Sequence, residues 1–127
     1  MRIQMNQRVK GIGILLLCGL AAGFLSGCND DRFDHHSPAG QGSLVVDNWT
    51  GDRMTVYVDG LEVGSTDGGK YSYYDLEPGL HRAVLDGDDS DRAWAGDVDI
   101  LEGRLTVLEV SGYGADYRDF IVRIYFE

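Results

Sequence analysis

The sequence predicts an all-β protein, a small antiparallel β-sandwich of about seven to eight strands. From Ser43 onwards apolar and polar residues alternate with a period of two, which is typical of strands that bury one face. Short clusters of Gly, Asp, Asn and Pro interrupt this alternation and supply turns. No stretch longer than a few residues has the periodicity of an amphipathic helix, so a helical bundle is excluded.

Eight strands are predicted between these turns. They span residues 44–47, 53–59, 61–64, 70–76, 80–85, 92–101, 104–110 and 119–126. In the second strand Met54, Val56 and Val58 point to one side, which identifies the face that packs on the core. The last strand has apolar residues at every second position from Phe120 to Phe126, so we expect it to lie at the centre of the core.

Length and charge limit the classes of partner. The chain has 127 residues and a formal net charge of -10, which allows one modest domain. Three of its 11 basic residues but none of its 21 acidic residues precede Cys28, so the chain from Cys28 onwards has 8 basic and 21 acidic residues and a charge of -13. Such a surface repels nucleic acid and anionic headgroups, and neither is expected as a partner. Both cysteines lie within the first 28 residues, so no disulfide framework holds the rest together.

The first 28 residues have the organisation of an export signal. Arg2, Arg8 and Lys10 form a basic start, and residues 11–24 are an uncharged apolar run of 14 residues. That length suits the core of a signal peptide and is too short for a helix that spans a bilayer. The run is followed by Leu25-Ser26-Gly27-Cys28, which resembles the lipobox of bacterial lipoproteins.

The lipobox resemblance implies cleavage in front of Cys28, so that residues 1–27 are a lipoprotein signal peptide, and a diacylglyceryl thioether on the Cys28 thiol. Several acyl chains, such as palmitate, give durable membrane anchoring because one chain alone holds a protein only marginally. An ordinary secretory signal and an uncleaved anchor are the alternatives. Asn29 stands where an Asp tends to retain enterobacterial lipoproteins at the inner membrane. We therefore expect a cell-envelope protein at the outer membrane, facing the periplasm or the surface.

Residues 28–42 are predicted to be the lipidated Cys and a flexible tether, followed by one domain over residues 43–127. The tether is polar and has no β-branched residue, so it buries too little apolar surface to offset chain entropy. His35 and His36 lie near Asp34 and could ligate a transition metal with neighbouring Asp residues. A solvated linker is the better interpretation, because a disordered pair of histidines offers no preorganised geometry.

Part of the domain resembles the PEGA domain. The residues that carry the resemblance are Met54, Val58-Asp59-Gly60, Gly64-Ser65-Thr66, Leu76, Pro78-Gly79 and His81. The resemblance covers about residues 43–110 and implies a small β-sandwich found as an extracytoplasmic module in bacterial surface and envelope proteins. The sequence departs from the family at Asp67, where Pro is usual, and at residues 49–52, which replace a Pro-containing approach to the first long strand.

The sequence contains no recognisable catalytic grouping. His81 is the only histidine of the predicted domain, and no Gly-x-Ser-x-Gly elbow accompanies it. It lies on a strand beside Arg82, which favours a histidine at the sheet surface over a general base. We therefore expect a protein that is not an enzyme and that carries no cofactor besides its covalent lipid.

An acidic loop at residues 86–91 is a candidate calcium site. Its four carboxylates belong to Asp86, Asp88, Asp89 and Asp91. Oxygen ligands at alternating positions suit Ca²⁺, but the EF-hand pattern fails because Asp91 stands where that motif has Gly. A looser calcium site at the tip of a hairpin and a solvated acidic turn both stay open.

Three aromatic residues are the other candidate binding site. Tyr71 and Tyr73 share one face of their strand, with Tyr74 on the other, and Trp49 lies in a turn. Exposed rings at Trp49, Tyr71 and Tyr73 would bind sugars by stacking or anchor protein contacts. Tyr and Trp are also ordinary strand residues that fill a small core.

Taken with the export signal, these features predict a membrane-anchored envelope lipoprotein that acts as a non-catalytic binding or accessory module. An envelope protein or a cell-wall glycan is the expected partner. Two alternatives are a calcium-stabilised adhesion module that uses loop 86–91 and an acidic lipoprotein that captures a basic protein by electrostatic steering.

Overall fold

The computed structural model describes residues 32–112 and 119–127. These residues form eight strands in two sheets, with no helix among them, so the predicted all-β sandwich is confirmed. Within the same two ranges there is no helix long and apolar enough to cross a membrane.

Each strand lies close to its predicted position. The strands are β1 (Gly42–Asn48), β2 (Met54–Val58), β3 (Leu61–Thr66), β4 (Tyr71–Leu76), β5 (Gly79–Gly87), β6 (Ala93–Ile100), β7 (Leu105–Ser111) and β8 (Ile121–Phe126). The turns between them fall at the residues that favour reversals. Asp59 and Gly60, for example, have φ angles of 51° and 85°, the left-handed pair that a two-residue hairpin turn requires.

Two four-stranded sheets make up the sandwich. Sheet A has the order β4-β1-β7-β8, and sheet B has the order β3-β2-β5-β6. All neighbouring strands are antiparallel except β1 and β7, which run parallel. The expectation of a purely antiparallel sandwich is therefore wrong for this one pair, because β1 and β7 are far apart in sequence and no hairpin fixes their relative direction.

The core lies between the inner faces of the two sheets. Its largest fully buried side chains include Leu44 and Leu108 from sheet A and Met54, Leu85 and Ile100 from sheet B. Full burial of one such side chain stabilises the fold by about 1.5–3 kcal/mol. Every residue of β1 is buried, as expected for a strand inside a sheet.

Strand β8 is an edge strand, so the predicted central position is wrong. Phe120, just before β8, is 4% exposed and belongs to the core, but Ile124 and Phe126 are 41% and 43% exposed. The reason is the offset between the sheets. Sheet B ends at β6, which packs over β7, and β8 extends beyond it.

The C-terminal part of the predicted tether is held on the domain. Residues 35–127 form one compact unit, and β1 begins at Gly42. The Ser37 hydroxyl is 2.8 Å from that of Ser43, and the Gln41 carbonyl accepts a hydrogen bond from the Gly103 amide. The structure thus differs from the expected flexible tether over residues 35–42.

Candidate functional site

The three predicted binding residues are all exposed and lie near the β4 edge of sheet A, with which no other described strand pairs. We call Trp49, Tyr71 and Tyr73 the aromatic strip; their exposed fractions are 58%, 41% and 46%. Tyr71 and Tyr73 alternate along edge strand β4, and Trp49 directly follows β1, the neighbour of β4. Tyr74 packs against the core from the opposite face, as predicted.

Two carboxylates share the outer face of sheet A with the rings. Asp47 pairs with Tyr71 in the register of β1 and β4, and Asp75 lies two residues beyond Tyr73 on the same face. Asp47 is 7% exposed, and its Oδ2 accepts a hydrogen bond of 2.8 Å from the indole nitrogen of Trp49. This bond fixes the edge of the Trp49 ring while the ring stays exposed.

Asp75 is the centre of a short hydrogen-bond chain. Its Oδ1 accepts one bond of 2.6 Å from the Ser43 hydroxyl and one of 2.7 Å from Nε2 of His35. Because Ser43 gives its only proton to Asp75, the Ser37 hydroxyl is the donor in the contact between the two serines. Burial opposes ionisation of Asp75, but the bonds from Ser43 and His35 outweigh it and hold the pKa of Asp75 below its ordinary value.

His35 covers part of the aromatic strip. Its imidazole stacks on the Tyr73 ring, with the centroids 3.7 Å apart and the planes at 23°, while its Nε2 bonds to Asp75. Sequence reasoning missed His35 because it assigned the residue to a solvated linker. It also missed Asp47 and Asp75, although the alternation Tyr71, Tyr73, Asp75 carried a usable signal.

His81 is engaged at both ring nitrogens. Nδ1 lies 2.7 Å from Oδ2 of Asp59, and Nε2 lies 2.7 Å from the Glu77 carbonyl oxygen. The amide of Arg82 donates to Oδ1 of Asp59 at 2.9 Å. Two acceptors demand two N–H groups, so this site favours the imidazolium. No ring nitrogen of His81 is left to accept a proton from a substrate.

The pKa values of this pair shift in opposite directions. Burial disfavours the His81 imidazolium, but the bonds to Glu77 and Asp59 outweigh it and raise the pKa of His81 above 6.5. The Arg82 amide and then His81 lower the pKa of Asp59 below 3.8. Asp59 and His81, 22 residues apart in the sequence, thus meet in one ionic contact.

The first two residues of the acidic loop, Asp86 and Gly87, belong to the end of β5, and the rest of the loop leads to β6. Asp88 accepts a hydrogen bond of 2.6 Å from the Thr55 hydroxyl and lies 3.5 Å from the Arg53 guanidinium, so it is tied to β2. Across residues 32–112 and 119–127, no three or more His, Cys, Asp or Glu side chains are grouped so that they could hold a metal ion. A calcium site at Asp86, Asp88, Asp89 and Asp91 stays a prediction, which a Ca²⁺ titration of the melting temperature would test.

Cys28, the predicted lipidation site, lies outside the described residues.

On sheet B an open groove of about 350 Å³ is lined by Val84, Ala93, Trp94, Ala95 and Asp119. It is apolar apart from one carboxylate. The aromatic strip, with three rings and two carboxylates on one face, is therefore the stronger candidate site.

Compared with known proteins, the chain matches no protein-family model and no curated protein. The two resemblances drawn from the sequence motifs therefore stay predictions.

Proposed function

We propose that this protein is a lipid-anchored lipoprotein of the bacterial cell envelope and that its β-sandwich is a non-catalytic binding module. The binding surface is the aromatic strip. The observation that carries the proposal is the exposure of Trp49, Tyr71 and Tyr73, 41–58% each, on one face beside a strand edge that pairs with no other described strand. Rings that are fixed in place and accessible lose little conformational entropy when a ligand covers them.

The membrane part of the proposal rests on Leu25-Ser26-Gly27-Cys28 and the apolar run before it. The PEGA-like part is supported by the Asp59-Gly60 hairpin and by its contact with His81. The engagement of both His81 nitrogens supports a binding module over a hydrolase.

The length of the linker limits the distance between the lipidation site and the binding surface. Six residues, 29–34, separate Cys28 from His35, the first residue of the compact unit. A fully extended chain advances about 3.5 Å per residue, so the seven steps from Cys28 to His35 span at most about 25 Å. A lipid on Cys28 would therefore keep the aromatic strip close to the membrane surface and favour partners that are held there.

The anchor is tested by metabolic labelling with an alkyne analogue of palmitate. We expect the wild-type chain to incorporate the label and to fractionate with membranes, and Cys28→Ala to lose both properties. Cys18→Ala is the matched control, because Cys18 lies inside the apolar run and should leave labelling unchanged. Normal labelling and membrane fractionation of Cys28→Ala would contradict the anchor.

The binding surface is tested by crosslinked capture from native envelopes. We compare the wild-type chain with a variant that carries Trp49→Ala, Tyr71→Ala and Tyr73→Ala. A second variant carries Leu61→Ala and Leu80→Ala, which remove exposed apolar side chains, 71% and 66% accessible, from sheet B. We expect the first variant to capture at least about tenfold less partner than the wild-type chain does, since ring truncation at a binding hot spot costs about 2 kcal/mol or more of binding free energy. Equal capture by both variants would contradict the assignment.

A further inference from the structure

The chain itself fills one position of the aromatic strip. His35 places a planar nitrogen ring on Tyr73 and an N–H group on the carboxylate of Asp75. Oδ2 of Asp75 accepts no hydrogen bond from any described residue, although the side chain is 30% exposed. The contact therefore leaves one carboxylate oxygen open to a ligand with a second donor.

The opposite edge of sheet A shows which chemical group fits best between a tyrosine ring and a carboxylate. On β8 the Arg123 guanidinium lies 4.9 Å above the Tyr125 ring and 2.8 Å from the carboxylate of Glu109. Guanidinium stacks on aromatic rings and donates two parallel hydrogen bonds to a carboxylate, whereas imidazole donates only one bond in that direction. Tyr73 and Asp75 offer the same ring and carboxylate, and His35 stands where an arginine would lie.

The spacing of the strip fits an extended chain. Tyr71, Tyr73 and Asp75 project at every second residue of β4, about 6.8 Å apart, as do alternate side chains of an extended peptide. Among the described strands none pairs with the outer edge of β4, so backbone pairing along that edge is open to an added strand. The net charge of -10 favours a basic segment.

We infer that the aromatic strip binds an extended, basic segment of a partner protein, and that an arginine of this segment displaces His35 from between Tyr73 and Asp75. This inference rests on the proposed function and names its ligand class. His35 is then a competitor built into the chain. It lowers the apparent affinity of every ligand that needs this position by the same factor, so only a ligand with enough intrinsic affinity displaces it.

The probe is a fluorescent peptide of four Arg-Thr repeats, titrated against the full-length chain in detergent. The matched control peptide has citrulline in place of each arginine, which keeps the planar group and removes its charge. We expect the arginine peptide to bind at least about tenfold more tightly, and its affinity to fall steeply as salt is raised. Equal affinity for the two peptides would overturn the inference.

Variants separate the ligand's contacts from those of His35. His35→Ala removes the competitor and should raise the affinity for the arginine peptide by about 3- to 10-fold. Adding Asp75→Asn to His35→Ala should lower the affinity for the arginine peptide by about tenfold, because the negative charge that binds arginine is lost. His35 is absent from this background, so the change does not act through the competitor. Asp99→Asn, an exposed carboxylate on sheet B, is the control. Circular dichroism checks that each variant is folded. If Asp75→Asn is unfolded, Tyr73→Leu in the same background tests the other contact of the arginine and should also lower the affinity.

The outcomes distinguish this inference from the proposed function. If His35→Ala lowers the affinity, or if Asp75→Asn and Tyr73→Leu leave it unchanged, the inference is wrong. If chitotetraose binds in place of the arginine peptide and Tyr73→Leu abolishes that binding, the basic ligand is overturned while the binding surface stands. If neither probe binds and envelope capture is also unaffected by loss of the rings, both proposals fail.

Discussion

Two histidine–aspartate pairs have equal nitrogen–oxygen distances but different roles in this molecule. His81 and Asp59 are 2.7 Å apart and join the start of β5 to the turn between β2 and β3. His35 and Asp75 are also 2.7 Å apart, but they join a segment in front of the first strand to an edge strand. The same bond therefore fixes the fold in one place and covers a surface in the other. What differs is how much of the chain each pair constrains.

Both ring nitrogens of His81 are hydrogen-bonded, whereas His35 is hydrogen-bonded to a described residue only through Nε2. The carboxylate that binds His81 also accepts the Arg82 amide, and the far nitrogen of His81 meets a backbone carbonyl. His35 has one bond and one stacked ring, and it is the first residue of the compact unit. Loss of His81 leaves the Glu77 carbonyl and the Asp59 carboxylate without that partner, whereas loss of His35 exposes one tyrosine and removes one bond to a carboxylate.

The largest effect on stability is expected from His81→Ala. The change removes two hydrogen bonds of 2.7 Å and leaves the Glu77 carbonyl without that partner. We expect a loss of about 1–3 kcal/mol in the free energy of unfolding, measured by urea denaturation. A His81→Ala variant as stable as the wild-type chain would show that the His81 contacts do not stabilise the fold.

The contribution of the His81–Asp59 pair should depend on pH in a defined direction. The pKa of His81 is raised above 6.5 on folding, so its stabilisation is complete below pH 6.5 and is lost as the pH rises through the folded value. The pKa of Asp59 is lowered below 3.8, so its contribution is lost only as the pH falls through that lower value. The stability difference between the wild-type chain and His81→Gln should thus be larger at pH 5 than at pH 8.5. A difference that grows towards pH 8.5 would show that the assigned imidazolium is absent.

The smallest effect on stability is expected from His35→Ala. The change removes one hydrogen bond instead of two, so we expect a smaller loss than for His81→Ala, about 0.5–1.5 kcal/mol, in the same urea experiment. Proteolysis should respond more strongly, with faster cleavage within residues 35–41 once the segment is released. If His35→Ala costs as much stability as His81→Ala, the two pairs are equivalent and His35 is part of the fold.

Local chemistry explains why the strands were predictable. Asp59-Gly60 and Glu102-Gly103 end strands by supplying positive φ angles, and alternation between them identifies the buried face. Sheet order is different, because it depends on contacts between distant segments. The alternation from Phe120 to Phe126 shows which face of β8 is apolar but not that sheet B ends before reaching it.

The site was predictable to the same extent. The exposed rings at Tyr71 and Tyr73 follow from alternation along one strand. His35 could not be found in this way, because its partner Asp75 is 40 residues away and the composition around His35 is that of a linker. A short polar segment is held here by one stacked ring and a few hydrogen bonds, which leave no periodic signal.

We propose the aromatic strip as the surface that meets a partner. The most direct test replaces Tyr71 with the photocrosslinking residue benzoylphenylalanine in living cells and compares it with the same replacement at Leu61, which is 71% exposed on the edge of sheet B. We predict a discrete crosslinked adduct from position 71, weakened by Tyr73→Ala, and none of comparable yield from position 61. The same adduct from both positions, or an adduct from position 61 alone, would contradict the account.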